Sequence, residues 1–428
     1  MPNGDLDDCA AMKENANLSS QSLSPSGPLT GSGAPVPTQP VSDFLRELLL
    51  RFYARSENFV AGRYWMLEAL FLAVLVSAFF SGGIDDRLWR VNNNYWFPSY
   101  FKKIEHPLLD LAKIYPPQGH DAKLNFRLTV PVILHALGVS PEQRWVLPAL
   151  TACATCGIIF VSCLFAFKVS RDRVCGLYAA LAVASTYIGS FGFMIYYDAI
   201  AICQLALAML PGLPWLLKGV LVFTASFTDE RAFLVSPFLL VQTLCASDNA
   251  KTLRQRLLKP EALAVIGGMA CYCAGRLALE KFAGLTAPYQ GLGLDHLLGN
   301  LDFWHPGIWL ALKGGWLLVG VAVLSLWQRR QWVPLAALVT MTLMTLAGAF
   351  LVEDVVRSTA YVFPAFLIAL MVVAAREKTN WLRLYCLAAF AISIAAGNYN
   401  VWRGQITWFK PLAASALYSL LHAIIKPG

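Results

Sequence analysis

From residue 66 to residue 397 the chain alternates apolar runs with short polar connections. The runs lie at approximately 66–81, 145–168, 174–194, 196–210, 213–227, 231–246, 261–279, 306–327, 332–351, 358–375 and 381–397. At roughly 20 residues per helical crossing, the pattern predicts an all-α polytopic membrane protein of about eleven transmembrane helices. Several runs are short and joined by tight turns such as Pro211-Gly212-Leu213-Pro214. Residues 128–138 (LTVPVILHALG) are apolar but too short for about 30 Å of hydrocarbon, and they predict a re-entrant or interface helix.

The flanks follow other rules. Residues 1–40 are rich in Ser, Pro, Gly and Asn and cannot bury enough surface to order themselves, so a disordered cytoplasmic tail is expected. They also lack the basic and apolar regions of a signal peptide. Within 41–62, Phe44, Leu45, Leu48, Leu49 and Phe52 fall on one side of a helix. Arg46, Glu47, Arg51 and Arg55 lie elsewhere around it, as in an amphipathic helix on the inner leaflet, with Asp43 near its start. The transmembrane domain is expected over 63–400. Residues 401–428, with Trp402, Trp408 and Tyr418, predict an outer interfacial helix.

Composition agrees with this class. Apolar residues make up 57% of the chain and charged residues 14%, where a soluble domain carries about a quarter. The net charge of +8 does not imply a nucleic-acid partner, because positive residues concentrate in short loops beside apolar runs, where they orient the chain. Most of the ten cysteines, Cys153 and Cys156 among them, lie inside apolar runs and read as small hydrophobes, with no structural disulfide expected.

Charge also orients the chain. Arg46, Arg51, Arg55 and Arg63, then Lys168, Arg171 and Arg173, then Lys218, then Lys251, Arg254, Arg256 and Lys259, then Arg329 and Arg330, then Arg376, Lys378 and Arg383 all fall in alternate connections. The positive-inside bias places them in the cytoplasm. A multi-pass inner (plasma) membrane protein follows, N-terminus inside and C-terminus outside. The connections at 82–127 and 280–305 are then outer loops. The first is long, with aromatics and prolines, and is expected to contain interface helices.

On this threading Asp85-Asp86, Asp198, Asp229-Glu230 and Glu353-Asp354 all reach the outer face. Acids at a bilayer boundary are costly and mark functional sites, so these four groups suggest one polar cavity open to the outside. Asp85 and Asp86 could supply a general base or hold a divalent cation, or they could cap a helix and pair with Arg87 and Arg90. Asp229 and Glu230 could meet a polar substrate or be neutralised by Arg231. Arg357 could grip a phosphate or form a one-turn ion pair with Glu353 or Asp354. Tyr197 and Asp198 could bind a sugar ring or anchor the interface. His106 and His120 sit in the first outer loop, and His296 and His305 in the later one. Their spacing matches no zinc motif, and the chain has no P-loop, dinucleotide fingerprint or Gly-x-Ser-x-Gly.

The layout resembles the GT-C superfamily of membrane glycosyltransferases. The resemblance rests on Asp85-Asp86 after the first span, the polar 82–127 loop, Arg127-Leu128-Thr129-Val130-Pro131 before a short apolar helix, the acidic turn Asp229-Glu230, and Asp354-Val355-Val356-Arg357 leading to Pro364. It covers about residues 60–375, and no large soluble C-terminal domain is expected. The resemblance implies sugar transfer from a polyprenyl-phosphate donor to a lipid or cell-surface glycan acceptor on the outer face. Asp85 or Asp86 would act as base. Arg127, His106, Tyr197, Asp198, Asp229, Glu230, Arg231, Glu353, Asp354 and Arg357 would form the binding site, with no firm cofactor. The competing readings are a transporter or flippase of a polar or lipid-linked solute, and a glycan polymerase.

Overall fold

The computed structural model describes residues 40–80, 97–115, 120–190, 196–246, 252–286, 293–352, 354–396, 399–402 and 405–408. The predicted tail over 1–39, Asp85, Asp86 and Glu353 therefore lie outside the described residues.

The chain divides into two compact units, Met1–Phe52 and Tyr53–Gly428. The described part of the first is the start of helix α1 (Pro40–Phe59), where Phe44 and Leu48 are exposed beside Arg46 and Arg51. The second unit is a helical bundle. Each apolar run read from the sequence is a helix there, or a helix with a break. In chain order these are α2 (Trp65–Phe80), α3 (Phe97–Glu105), α4 (Thr129–Ala136), α5 (Val146–Ser170), α6 (Arg173–Ala184), α7 (Tyr187–Ser190), α8 (Asp198–Ala208) and α9 (Trp215–Thr228). Next come α10 (Glu230–Val235), α11 (Phe238–Cys245), α12 (Leu253–Leu257), α13 (Pro260–Phe282), α14 (Leu294–Leu301), α15 (Trp304–Leu312) and α16 (Gly315–Gln328). The last are α17 (Trp332–Phe350), α18 (Val355–Thr359), α19 (Phe363–Ala374) and α20 (Thr379–Ala395).

Length separates these helices. Four are long and apolar enough to cross a membrane, Val146–Ser170, Pro260–Phe282, Trp332–Phe350 and the continuous Val355–Ala374. A fifth exists if α15 and α16, bent by 87°, count as one span. The count by length is thus four or five among the described residues, against the eleven the runs suggest. A 12-residue helix such as α6 rises only about 18 Å at 1.5 Å per residue. Hydropathy registers the apolar run but not the breaks inside it. Ser185 and Thr186 turn back onto the carbonyls of Leu181 and Val183 after α6, and Ser236-Pro237 divides α10 from α11.

The core is one large apolar cluster built mainly on α5, α6 and α19. Val355–Ala374 is its axis, with 94% of its apolar window buried, against 22% for Pro260–Phe282 at the rim. Leu67, Phe71 and Leu75 on α2 and Leu343 and Met344 on α17 face outward. Such apolar surface on a helix bundle is what a bilayer covers. This is a helical membrane protein.

The loops sort into two groups at opposite ends of the same helices. At one end Arg383 pairs with Glu57 and Asp172, Arg173 donates to the carbonyls of Val60 and Ala61, and Lys168 donates to Pro211 O at 2.9 Å. Arg256 at that end donates to Leu244 O, and Arg376 to Gln331. The other end holds the acids of the candidate site.

Residues 401–402 and 405–408 are strand, where a helix is expected over 401–428. Tyr399–Trp402 (β1) and Gln405–Trp408 (β2) pair as an antiparallel hairpin, Tyr399 opposite Trp408 and Trp402 opposite Gln405. Val401, Ile406 and Thr407 are β-branched and the tryptophans aromatic, and both types favour strands. The hairpin packs on α18 and α15, and residues 409–428 lie outside the described ones.

Candidate functional site

The site starts from three helix ends. Asp229 terminates α9 and caps α10, accepting from the backbone N–H of Arg231 at 3.1 Å. Asp354 caps α18 in the same way, accepting from the backbone N–H of Arg357 at 3.4 Å. Asp198 is the first residue of α8. An acid at a helix N-terminus satisfies an orphan donor and suits the helix dipole. In the first two cases the next turn also carries the arginine that pairs with the cap.

Tertiary packing joins these ends into one network. The Arg231 guanidinium donates to Asp229 through Nε at 2.8 Å and Nη2 at 2.9 Å, and its Nη2 also reaches Asp198. Arg357 donates from Nη2 to the other Asp198 oxygen at 2.8 Å and from Nη1 to Asp354 at 3.0 Å. Arg127 grips Glu230 with Nε at 3.0 Å and Nη2 at 2.9 Å, and its Nη1 lies 3.1 Å from Asp229. Asp198 therefore bridges two arginines and Asp229 bridges two arginines, with Arg231 common to both. Four carboxylates face three guanidiniums, so the cluster retains one negative charge.

Aromatic rings wall the network. Arg357 lies over the Tyr196 ring at 3.7 Å and Arg231 over Tyr361 at 5.0 Å, cation–π contacts that strengthen away from water. Tyr197 packs edge-on against Tyr100 at 5.0 Å, which ties α3 to the start of α8. The buried hydroxyls of Tyr100, Tyr197 and Tyr361 have no hydrogen-bond partner among the described residues. Asp198, Asp229, Arg127 and Arg357 are buried, whereas the Glu230 side chain is 39% exposed and forms the rim. Burial by itself would raise the Asp229 carboxyl, but Arg127 and Arg231 hold it well below the usual carboxylate range. A cavity of about 10 Å³ lies between Asp198, Arg357, Tyr187, Ile188, Ile202 and Ala360, room for about one water.

Of the candidates read from the sequence, Arg127, Tyr197, Asp198, Asp229, Glu230, Arg231, Asp354 and Arg357 come together. His106 does not join them; it is exposed at the end of α3 and bonded through its backbone to Lys102 and Leu109. Asp85, Asp86 and Glu353 lie outside the described residues, and the possible cation between Asp85 and Asp86 with them. Among the described residues no group of three His, Cys, Asp or Glu side chains could hold a metal ion.

Three basic residues escaped the sequence reading. Lys103 is buried in α3 and donates to the carbonyls of Pro107 and Leu109 at 2.7 and 2.8 Å. Lys313 sits at the α15–α16 bend with φ 45°, buried, donating to the carbonyls of Ser185 and Ser393. Arg276 lies on α13 beside Phe126. The signal for Lys313 was present, since a lone lysine inside an apolar run is unusual.

The chain matches no protein-family model, no curated protein and no solved structure.

Proposed function

We propose that the protein is an integral-membrane glycosyltransferase that moves a sugar from a polyprenyl-phosphate donor to a lipid or glycan acceptor on the outer face. The observation that carries this reading is the single cluster of four acids and three arginines at one end of the bundle, linked through Arg127 and Tyr100 to the 82–127 loop. All its members stand at helix ends or in connections at that end, as a site at a membrane boundary requires. The finer topology, about eleven passes with the N-terminus cytoplasmic, belongs to this proposal.

The chemistry follows from the groups present. A donor's isoprenoid tail stays in the bilayer while its phosphate meets Arg231 or Arg357 at the outer end of the bundle. Arg231 and Arg357 are already paired with Asp198, so a phosphate there replaces a carboxylate. Asp85 or Asp86 takes the proton from the acceptor hydroxyl as its oxygen bonds the anomeric carbon. The bond from that carbon to the phosphate oxygen breaks, and polyprenyl phosphate leaves already charged, without a general acid. Transfer of a labelled sugar from a polyprenyl-phosphate donor by the purified protein tests the reading.

One observation favours a transporter instead. The α15–α16 pair is bent by 87°, as in a broken span or a re-entrant loop, with a buried lysine at the bend. Broken helices with a buried charge are the sites of many transporters. Solute accumulation in sealed vesicles without sugar transfer would favour that alternative.

A further inference from the structure

Three features outside the central cluster call for a physical account: the buried Lys313 at the helix break, the Asp110–Asn125–Thr286 latch between two loops, and Arg276 on the outermost helix. Lys313 donates to two backbone carbonyls and does not line the cavity beside Asp198. In the latch, Asp110 accepts from Asn125 at 2.6 Å and Thr286 at 2.7 Å, which binds the 82–127 loop to the end of α13 and accounts for all three groups. Arg276 is different.

Arg127, Arg231 and Arg357 each contact two carboxylates, so an incoming anion binds them only by displacing one. Among the described residues Arg276 has one acidic contact, Glu280 at 3.4 Å, one turn along the same helix. Charge-assisted pairs usually close to about 2.7–2.9 Å, and exposed pairs of this kind contribute little. The guanidinium is nevertheless held in place. It lies over the Phe126 ring at 4.4 Å, and its Nη1 donates to the Tyr272 hydroxyl at 3.1 Å. Tyr272 is itself fixed by Phe227 and Phe233, with centroids at 4.8 and 5.1 Å. An arginine with a pre-set fork, 30% exposed, and a weak internal partner is ready to receive a planar or tetrahedral oxyanion.

Its position identifies the anion's carrier. Helix α13 is the least enclosed of the long helices, and Leu263, Ile266 and Leu277 stand 48%, 44% and 65% exposed along it. Arg276 stands on the flank of that apolar face, six residues from the helix end at Phe282, about 9 Å at 1.5 Å per residue. That depth suits a headgroup at the membrane boundary with its chain lying along the face below. Glu230, the exposed acid of the central cluster, is near enough to act electrostatically on Arg276.

We infer that Arg276, with Tyr272 and Phe126, forms a binding site for a lipid-borne phosphate, the chain lying on the exposed face of α13. The inference rests on the lipid-linked donor of the proposed function and gives that donor's phosphate its place of entry. A free phosphate would use the same fork but gain nothing from the apolar face.

Equilibrium binding in nanodiscs of zwitterionic lipid tests it, with three probes: a polyprenyl monophosphate, the matching polyprenol, and inorganic phosphate. The wild-type protein should bind the polyprenyl phosphate and the other two far more weakly. Arg276→Gln should weaken that binding about tenfold or more, the usual scale for one charge-assisted contact, and Arg276→Lys less. Glu280→Gln, which removes the competing carboxylate, should tighten it. Because the two changes act in opposite directions, general loss of folding cannot imitate the result. Wild-type affinity in Arg276→Gln would overturn the site while leaving the glycosyltransferase reading intact. Inorganic phosphate binding as tightly as the lipid would overturn the lipid carrier. No binding of polyprenyl phosphate by the wild-type protein would sink both.

Discussion

Asp198 and Arg357 stand 159 residues apart in the chain and meet at 2.8 Å, both buried, with the second Asp198 oxygen held by Arg231. One carboxylate thus bridges two guanidiniums from different helices, joining α8, α10 and α18, while Asp229 and Asp354 supply the second counter-charge to each.

Replacing Asp198 with Asn keeps the shape but removes the shared charge of the bridge, leaving Arg231 with Asp229 alone and Arg357 with Asp354 alone. Breaking a buried pair on one side typically costs about 3–5 kcal/mol, so Asp198→Asn should unfold at markedly lower denaturant or temperature than wild type. Glu230→Gln, at the rim, should cost about 1 kcal/mol or less. Equal stability for the two variants in the same unfolding assay would show that Asp198 does not organise the cluster.

Lys103 gives a pH signature. Burial pushes its ammonium down to about 8 from the ordinary 10.5, against a smaller upward pull from Asp110. Between those values the folded chain binds fewer protons than the unfolded one, so this group makes stability rise with pH from about 8 to 10.5. Lys103→Met should remove that part of the rise while other groups titrate as before. Parallel stability curves for variant and wild type over the window would contradict the burial.

Much of this was legible in the sequence. The apolar runs became helices because periodicity and composition act locally, and the acids met because charge in apolar surroundings needs a partner. Asp229 with Arg231, and Asp354 with Arg357, are readable as caps with nearby counter-ions. What could not be read is the closure between elements. Nothing local says that Asp198 would bridge Arg231 and Arg357, or that Arg127 would reach Glu230. Helix breaks at Ser185-Thr186 and Lys313-Gly314 were hidden inside apolar runs, so fewer described helices are long enough to cross a membrane than the runs suggest. The hairpin at 399–408 was masked by interface-type tryptophans, which suit a strand as well as a helix.

The proposed topology makes its own prediction. Cysteines introduced at Asn94 and Asn249 should differ toward an impermeant thiol reagent in intact cells, with position 94 labelled and position 249 protected. A background lacking the native cysteines keeps the readout clean. Labelling at 249 alone would invert the protein and move the cluster to the cytoplasmic face.

The measurement closest to the central claim is sugar transfer by the purified protein from a polyprenyl-phosphate donor, run beside a separate donor-binding assay, for wild type, Asp85→Asn and Asp86→Asn. General-base catalysis contributes about a hundredfold to ten-thousandfold, so at least one variant should lose transfer on that scale while still binding donor. Wild-type turnover in both variants would remove Asp85 and Asp86 from the mechanism and leave Asp198 or Asp229 as the base. A wild-type protein that neither binds nor transfers a lipid-linked sugar, but moves a solute across vesicles, would contradict the account.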